Sequence, residues 1–308
     1  MYRSDEAAPV RQKHGEEADA IPKRRGASSF VLIVLAAALC AAGPSYAFKP
    51  SDFARLLSTN SCEKCDLEQV DLAASNLAAA VLNGANLADT DLTMTNLYYS
   101  NMEGASLKTG NLSGANLSGA NLFGANLSGA NLSGANLSGA NLTDAKLFDA
   151  NLSRAILTDA NLSRAILSHA DISRATLARA NLNKALMIGA DFAGSNLARS
   201  DLTAADMGNA KFFRADLYCA KLRDSRAHGA DFLSADLSQA DLTGADMNGS
   251  NFTATDLDLA DLTSANFTNA ILFRAILSRT VMNNTVFTGS TWTDGKIFRS
   301  ATYERTDR

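Results

Sequence analysis

Proline disappears from this chain after residue 50; all four prolines (Pro9, Pro22, Pro44 and Pro50) precede the long remainder. Proline cannot donate to a backbone ladder, so its absence suits a segment in which nearly every N–H is needed for pairing. Histidine is almost as scarce: His14, His169 and His228 are scattered, and four cysteines are too few and too dispersed for a clear zinc site. No nucleophile–base pair, triad or phosphate loop is present. The glycines at 114, 119, 124, 129, 134 and 139 keep a five-residue rhythm and are no phosphate-binding fingerprint. No catalytic residue, metal ligand or cofactor is expected, and the chain does not read as an enzyme. Insertions are missing too, and with them the loops on which catalytic groups usually stand.

What is present is a repeat. From Leu67 to Trp292 every fifth residue is leucine or a substitute, 32 of 46 positions being leucine. Two residues before each lies a small residue, from Cys65, Val70, Ser75 and Ala80 onward to Ser290. On an α-helix a step of five turns the leucine by about 140°, which makes no apolar stripe. On a flat strand every second leucine would face water. The chain must therefore turn a corner within each five residues. Four corners give a coil of twenty, stacked at roughly 4.8 Å, the spacing of paired strands. The twenty-residue columns support that count. Phe192, Phe212, Phe232 and Phe252 form one; Met187, Met207, Ala227, Met247, Phe267 and Phe287 form another; the remaining two are leucine from Leu177 to Leu277 and from Leu182 to Leu262.

The runs Ala115-Asn116-Leu117-Ser118-Gly119 and Ala135-Asn136-Leu137-Ser138-Gly139 resemble the pentapeptide repeat, Ala-(Asp/Asn)-Leu-X-X. The resemblance spans residues 65–292. It implies an all-β solenoid, a right-handed quadrilateral β-helix; the handedness comes from the resemblance alone. At this length it would hold eleven to twelve coils, on the order of 55 Å at strand spacing. Ala227 stands at a leucine position, and packing repaired by Met207 and Met247 is expected there in preference to a ligand pocket.

Residues 1–47 read as a secretory signal. Lys23-Arg24-Arg25 precede an apolar run from Phe30 to Ala42, and Ser45 and Ala47 supply small residues for cleavage after Ala47. The run is short for a membrane span, which needs about twenty residues; an uncleaved membrane anchor is the alternative, and Cys40 lacks a convincing lipid-attachment context. Residues 48–64 form an N-terminal cap, with Ser51 as N-cap of a short helix carrying Phe53, Leu56 and Leu57. Residues 293–308 form a C-terminal cap and polar tail, with Phe287, Trp292 and Ile297 enlarging the last core layers and Trp292 as a lid.

Cys62 and Cys65 lie at the junction of cap and repeats. A local disulfide is the first reading in an oxidising compartment, with a redox pair or part of a zinc site as alternatives. Similar Cys-X-X-Cys pairs ahead of the first repeat in pentapeptide-repeat proteins favour the structural role. On the surface, the recurrent Asn/Asp before the central residue is expected to stabilise turns and bond between coils. Charge falls in bands: residues 48–150 carry net −5, residues 151–228 net +4 and residues 229–308 net −4. In the middle band Arg154 and Arg174, Arg164 and Lys184, and Arg179 and Arg199 stand twenty apart. They are either a surface for an anionic partner or a solvated face neutralised by Asp159, Asp171 and Asp191. The expectation is an exported, periplasmic or secreted, non-enzymatic rod that binds a protein or an envelope polymer. The alternative implied by the resemblance is a DNA mimic that binds a type II topoisomerase, against which the export signal and the basic middle band both count.

Overall fold

A computed structural model describes residues 47–298 of the chain. The basic and apolar parts of the signal expected over residues 1–47 lie outside the described residues, as does the tail beyond Phe298. Helix α1 (Pro50–Thr59) comes first, and it corrects the expected cap: the N-cap is Lys49 with no side-chain cap bond, proline opens the first turn, and Ser51 lies inside the helix. Pro50 suits that place because its missing N–H would have no partner there. Asp52 in the first turn accepts the Asp66 N–H through Oδ2 at 3.0 Å, tying α1 to the first coil. Phe53 and Leu56 are buried against the coil end, and Asn60 ends the helix in the left-handed region at φ 58°.

Beyond α1 the backbone follows a ladder of parallel bridges, each joining residue i to residue i+20, from Ser61↔Val81 to Ile271↔Thr291. Twenty residues therefore make one coil, and four ladders run the length of the stack. The ladder begins at Ser61, so Cys62, expected in the cap, occupies a central position inside the first coil, where Cys65 takes a small one. No regular strand forms among the described residues; the bridges are isolated. A unit that spends two of five residues on a turn leaves no room for an extended run.

The hydrogen bonds explain the missing prolines. Take the unit Asn126–Ala130. The Asn126 N–H donates to Ala105 O, Leu127 to Lys146 O, Gly129 to Phe148 O and Ala130 to Leu127 O, all at 2.7–3.0 Å. The fifth N–H, that of Ser128, donates to the Asn126 side chain, Oδ1, at 3.1 Å. All five donors are satisfied. The Asn/Asp positions thus hold the turn, and they also bond between coils, as Asn141 Nδ2 does to Asn121 Oδ1 at 3.1 Å. Some hydroxylated small residues find a buried acceptor one coil back, as Thr255 Oγ1 does in donating to Phe232 O at 2.7 Å, whereas the buried hydroxyls of Ser100, Ser200, Ser225 and Ser290 have no partner among the described residues.

Within the coils the central residues are fully buried over most of the stack. Phe192, Phe212, Phe232 and Phe252 stack face to face with ring centroids 5.0, 4.8 and 4.8 Å apart. Ala227, Met207 and Met247 are all fully buried, and the Ala227 carbonyl accepts the Ser250 hydroxyl. The C-terminal cap differs from expectation in one residue. Ile297 is 55% exposed, and Phe298 takes the inner place, 5.4 Å from Trp292 and 5.8 Å from Phe287. The chain reverses there: Thr291 and Ile297 pair antiparallel, and the Trp292 N–H donates to Lys296 O.

Candidate functional site: an arginine-lined groove

The fourth residue of each unit, second in its turn, has a positive φ almost throughout, 51–61° where it is not glycine. Left-handed backbone costs a residue with a Cβ about 1–2 kcal/mol. Glycine meets the demand at Gly119, where an added Cβ would also lie 2.7 Å from the Tyr99 ring. Arginine has no such excuse, yet Arg154, Arg164, Arg174, Arg179, Arg199, Arg214, Arg274 and Arg279 all stand at this position. The side chain leaves the corner outward, so charge there is presented to solvent or to a surface neighbour.

Five of the eight have partners. Arg164 grips Asp144, one coil back, through Nε and Nη2 at 2.7 and 2.6 Å. Arg179 grips Asp159 in the same way, at 2.7 Å for both bonds. These bonds hold both carboxyls below the usual carboxylate range. Arg279 pairs with Asp258, while Arg214 and Arg274 lie over the rings of Phe213 and Phe273 at 4.9 and 5.1 Å. Arg154, Arg174 and Arg199 have no ion pair, side-chain hydrogen bond or ring partner among the described residues.

The six cations named from sequence do not form one surface. Bridges place Arg154 and Arg174 beside the ladder Asn151↔Asp171, Arg164 and Lys184 beside Asn161↔Asn181, and Arg179 and Arg199 beside Thr176↔Asn196. They are three pairs on three different sides. Of the carboxylates expected to neutralise them, Asp159 holds Arg179, but Asp191 lies 3.7 Å from Lys211 and Asp171 makes no ion pair among the described residues. Asp144, overlooked in the sequence, stood at the readable distance of twenty from Arg164.

Arg154 and Arg174 flank a shallow groove of about 640 Å³ whose walls include Ser133, Asn151, Ser153, Asp171 and Ser173. The Asn151 side chain accepts the Ser153 N–H and hydroxyl through Oδ1, at 2.9 and 2.7 Å. Its Nδ2 has no acceptor among the described residues: the bond back to Asn131, of the kind Asn141 makes to Asn121, is not formed. Asp171 Oδ1 accepts the Ser173 N–H at 2.9 Å, leaving Oδ2 open. The groove therefore offers two guanidinium groups, an amide donor, hydroxyls and one carboxylate oxygen.

At the other end Cys62 and Cys65 are bonded through sulfur, their Cα atoms 5.3 Å apart. Both are buried, and Arg55 Nη2 of α1 reaches the Cys65 sulfur. Alkylation of the unfolded, unreduced protein is expected to spare Cys62 and Cys65 while labelling Cys219, which is half-buried and free. Two labelled thiols at this motif would exclude the bond. Among the described residues no three His, Cys, Asp or Glu side chains gather as a metal site would require, and no helix is long and apolar enough to cross a membrane.

Comparison with known families recognises the repeat. The family described as pentapeptide repeats (8 copies) matches overlapping segments from residue 71 to residue 289. Among solved structures, the chain is similar to HetL, a pentapeptide repeat protein involved in heterocyst differentiation regulation in the cyanobacterium Nostoc sp. strain PCC 7120. Identity is 27%, over 80% of this chain and 98% of that one, with a TM-score of 0.33. Rfr23 of the cyanobacterium Cyanothece 51142 is 33% identical over 37% of this chain and 88% of its own, with a TM-score of 0.28. QnrB1, a plasmid-mediated fluoroquinolone resistance protein, is 20% identical over 63% of this chain and 88% of its own, with a TM-score of 0.29. No curated protein matches.

Proposed function

This chain belongs to the pentapeptide-repeat family, and from that premise we propose that it is an exported, non-enzymatic interaction module of the cell envelope. Membership implies that the stacked coils form a right-handed quadrilateral β-helix. The observation that carries the proposal is the unbroken ladder from Ser61 to Thr291. The interior is filled by packing and no loop leaves the coils, so recognition falls to turn residues on four repeating sides. The address rests on the sequence: Lys23-Arg24-Arg25, the apolar run Phe30–Ala42, and the small residues Ser45 and Ala47. A tagged copy of the full chain is expected in the envelope or exported fraction, with an N-terminus beginning at Phe48. Recovery from the cytosol with residue 1 intact would overturn the address.

The alternative reading, a DNA mimic bound by a type II topoisomerase, draws on one feature. Asp216, Asp236 and Asp256 succeed one another along a single ladder, a carboxylate per coil. The same side carries Arg179 and Arg199 below them, which breaks any acidic stripe. Inhibition of gyrase supercoiling by the full chain would favour the alternative.

A further inference from the structure

We propose that the groove between Arg154 and Arg174 binds an acidic polysaccharide whose sugars carry carboxylates, a polyuronate. This names the polymer class for the envelope reading given above and rests on it. Five of the eight arginines at left-handed corners are engaged by an aspartate or a phenylalanine ring. Arg154 and Arg174 keep that unfavourable backbone at φ 59° and 58° with no partner among the described residues, and they are the two that share a concavity.

The rest of the groove selects the ligand. Guanidinium groups recognise carboxylate or phosphate through paired N–H donors. They stand one coil apart, about 4.8 Å, a spacing comparable with one acid group per sugar along a chain. Asn151 Nδ2, the Ser133 and Ser173 hydroxyls and the open oxygen of Asp171 suit alcohol groups, which both donate and accept. Asp171 also works against densely charged phosphate polymers, since it sets a negative charge in the same five-residue unit as Arg174. No aromatic side chain lines the groove, so it offers no platform on which single-stranded nucleic acid would stack.

The test is calorimetric titration of the full chain with an oligogalacturonate, alongside polyphosphate and oligothymidylate of similar length. The double variant Arg154→Gly/Arg174→Gly relaxes two strained corners, so it should melt no lower than the parent. The expected result is oligogalacturonate binding that weakens about tenfold or more in that variant, as loss of charge-assisted bonds predicts. The control Arg164→Gly/Arg179→Gly, with the same charge change on other sides, should stay within about twofold. The proposal is overturned if the parent does not bind oligogalacturonate, if both double variants weaken equally, or if polyphosphate or oligothymidylate binds more tightly. Cytosolic recovery of the tagged chain would sink the envelope reading while leaving the titration as it stands; a failed titration with envelope recovery would sink only the groove.

Discussion

Phe232→Ala is expected to lower the unfolding free energy by about 3–5 kcal/mol, the usual loss for a buried aromatic truncated in a packed core. The ring is fully buried and lies 4.8 Å from Phe212 on one side and 4.8 Å from Phe252 on the other. Both neighbours lose a stacking face, worth roughly 0.5–1.5 kcal/mol per aromatic pair beyond area. The surroundings cannot collapse to refill the space, because each wall is fixed by bridges to the coils before and after it. Ala227, one unit earlier in the same coil, is already small. Urea denaturation followed by circular dichroism measures the change. A loss below about 1 kcal/mol would mean that the rings do not support one another along the stack.

The second large effect concerns proline. Gly129→Pro is expected to cost about 3 kcal/mol or more, because it removes the N–H bonded to Phe148 O and cannot adopt the φ of 68°. Ser128→Pro, one residue earlier, should cost no more than about 1 kcal/mol. Its N–H is held only by the Asn126 side chain, and it precedes the positive-φ residue of the turn, where proline's fixed φ is compatible. Thermal melting of the two variants separates them. Equal destabilisation would show that the third slot is as constrained as the fourth, contrary to the donor census of the unit.

These two predictions mark what the sequence discloses. A central residue every five positions and the phenylalanine column at intervals of twenty are enough to place the core and to count the corners, because both follow from which side chains must be hidden. The left-handed corner was less legible. Arginine there hides the constraint that Gly119 or Asn209 would advertise, so the strain at Arg154 appears only with the backbone. The pairing of Arg164 with Asp144 was readable at a spacing of twenty, whereas the engagement of Arg214 by the adjacent Phe213 depends on side-chain direction. Around α1 a local rule misled: Ser51 has the right chemistry for an N-cap, but Pro50 fixes the helix start one residue earlier. Ile297 misled for the opposite reason, since the coil register ends where the chain folds back and Phe298 replaces it inside.

The two closures, α1 at one end and the reversal at Thr291–Ile297 at the other, have a bearing on how long such a molecule is allowed to be. Neither depends on the coils between them, which touch only the layer before and the layer after. Length is thus quantised: twenty residues, such as 121–140, can be duplicated or excised and every column still meets its own kind. Removal of ten would instead set each side against the one across from it. The distance between the terminal structures is therefore heritable in discrete steps, separately from whatever any one flank recognises.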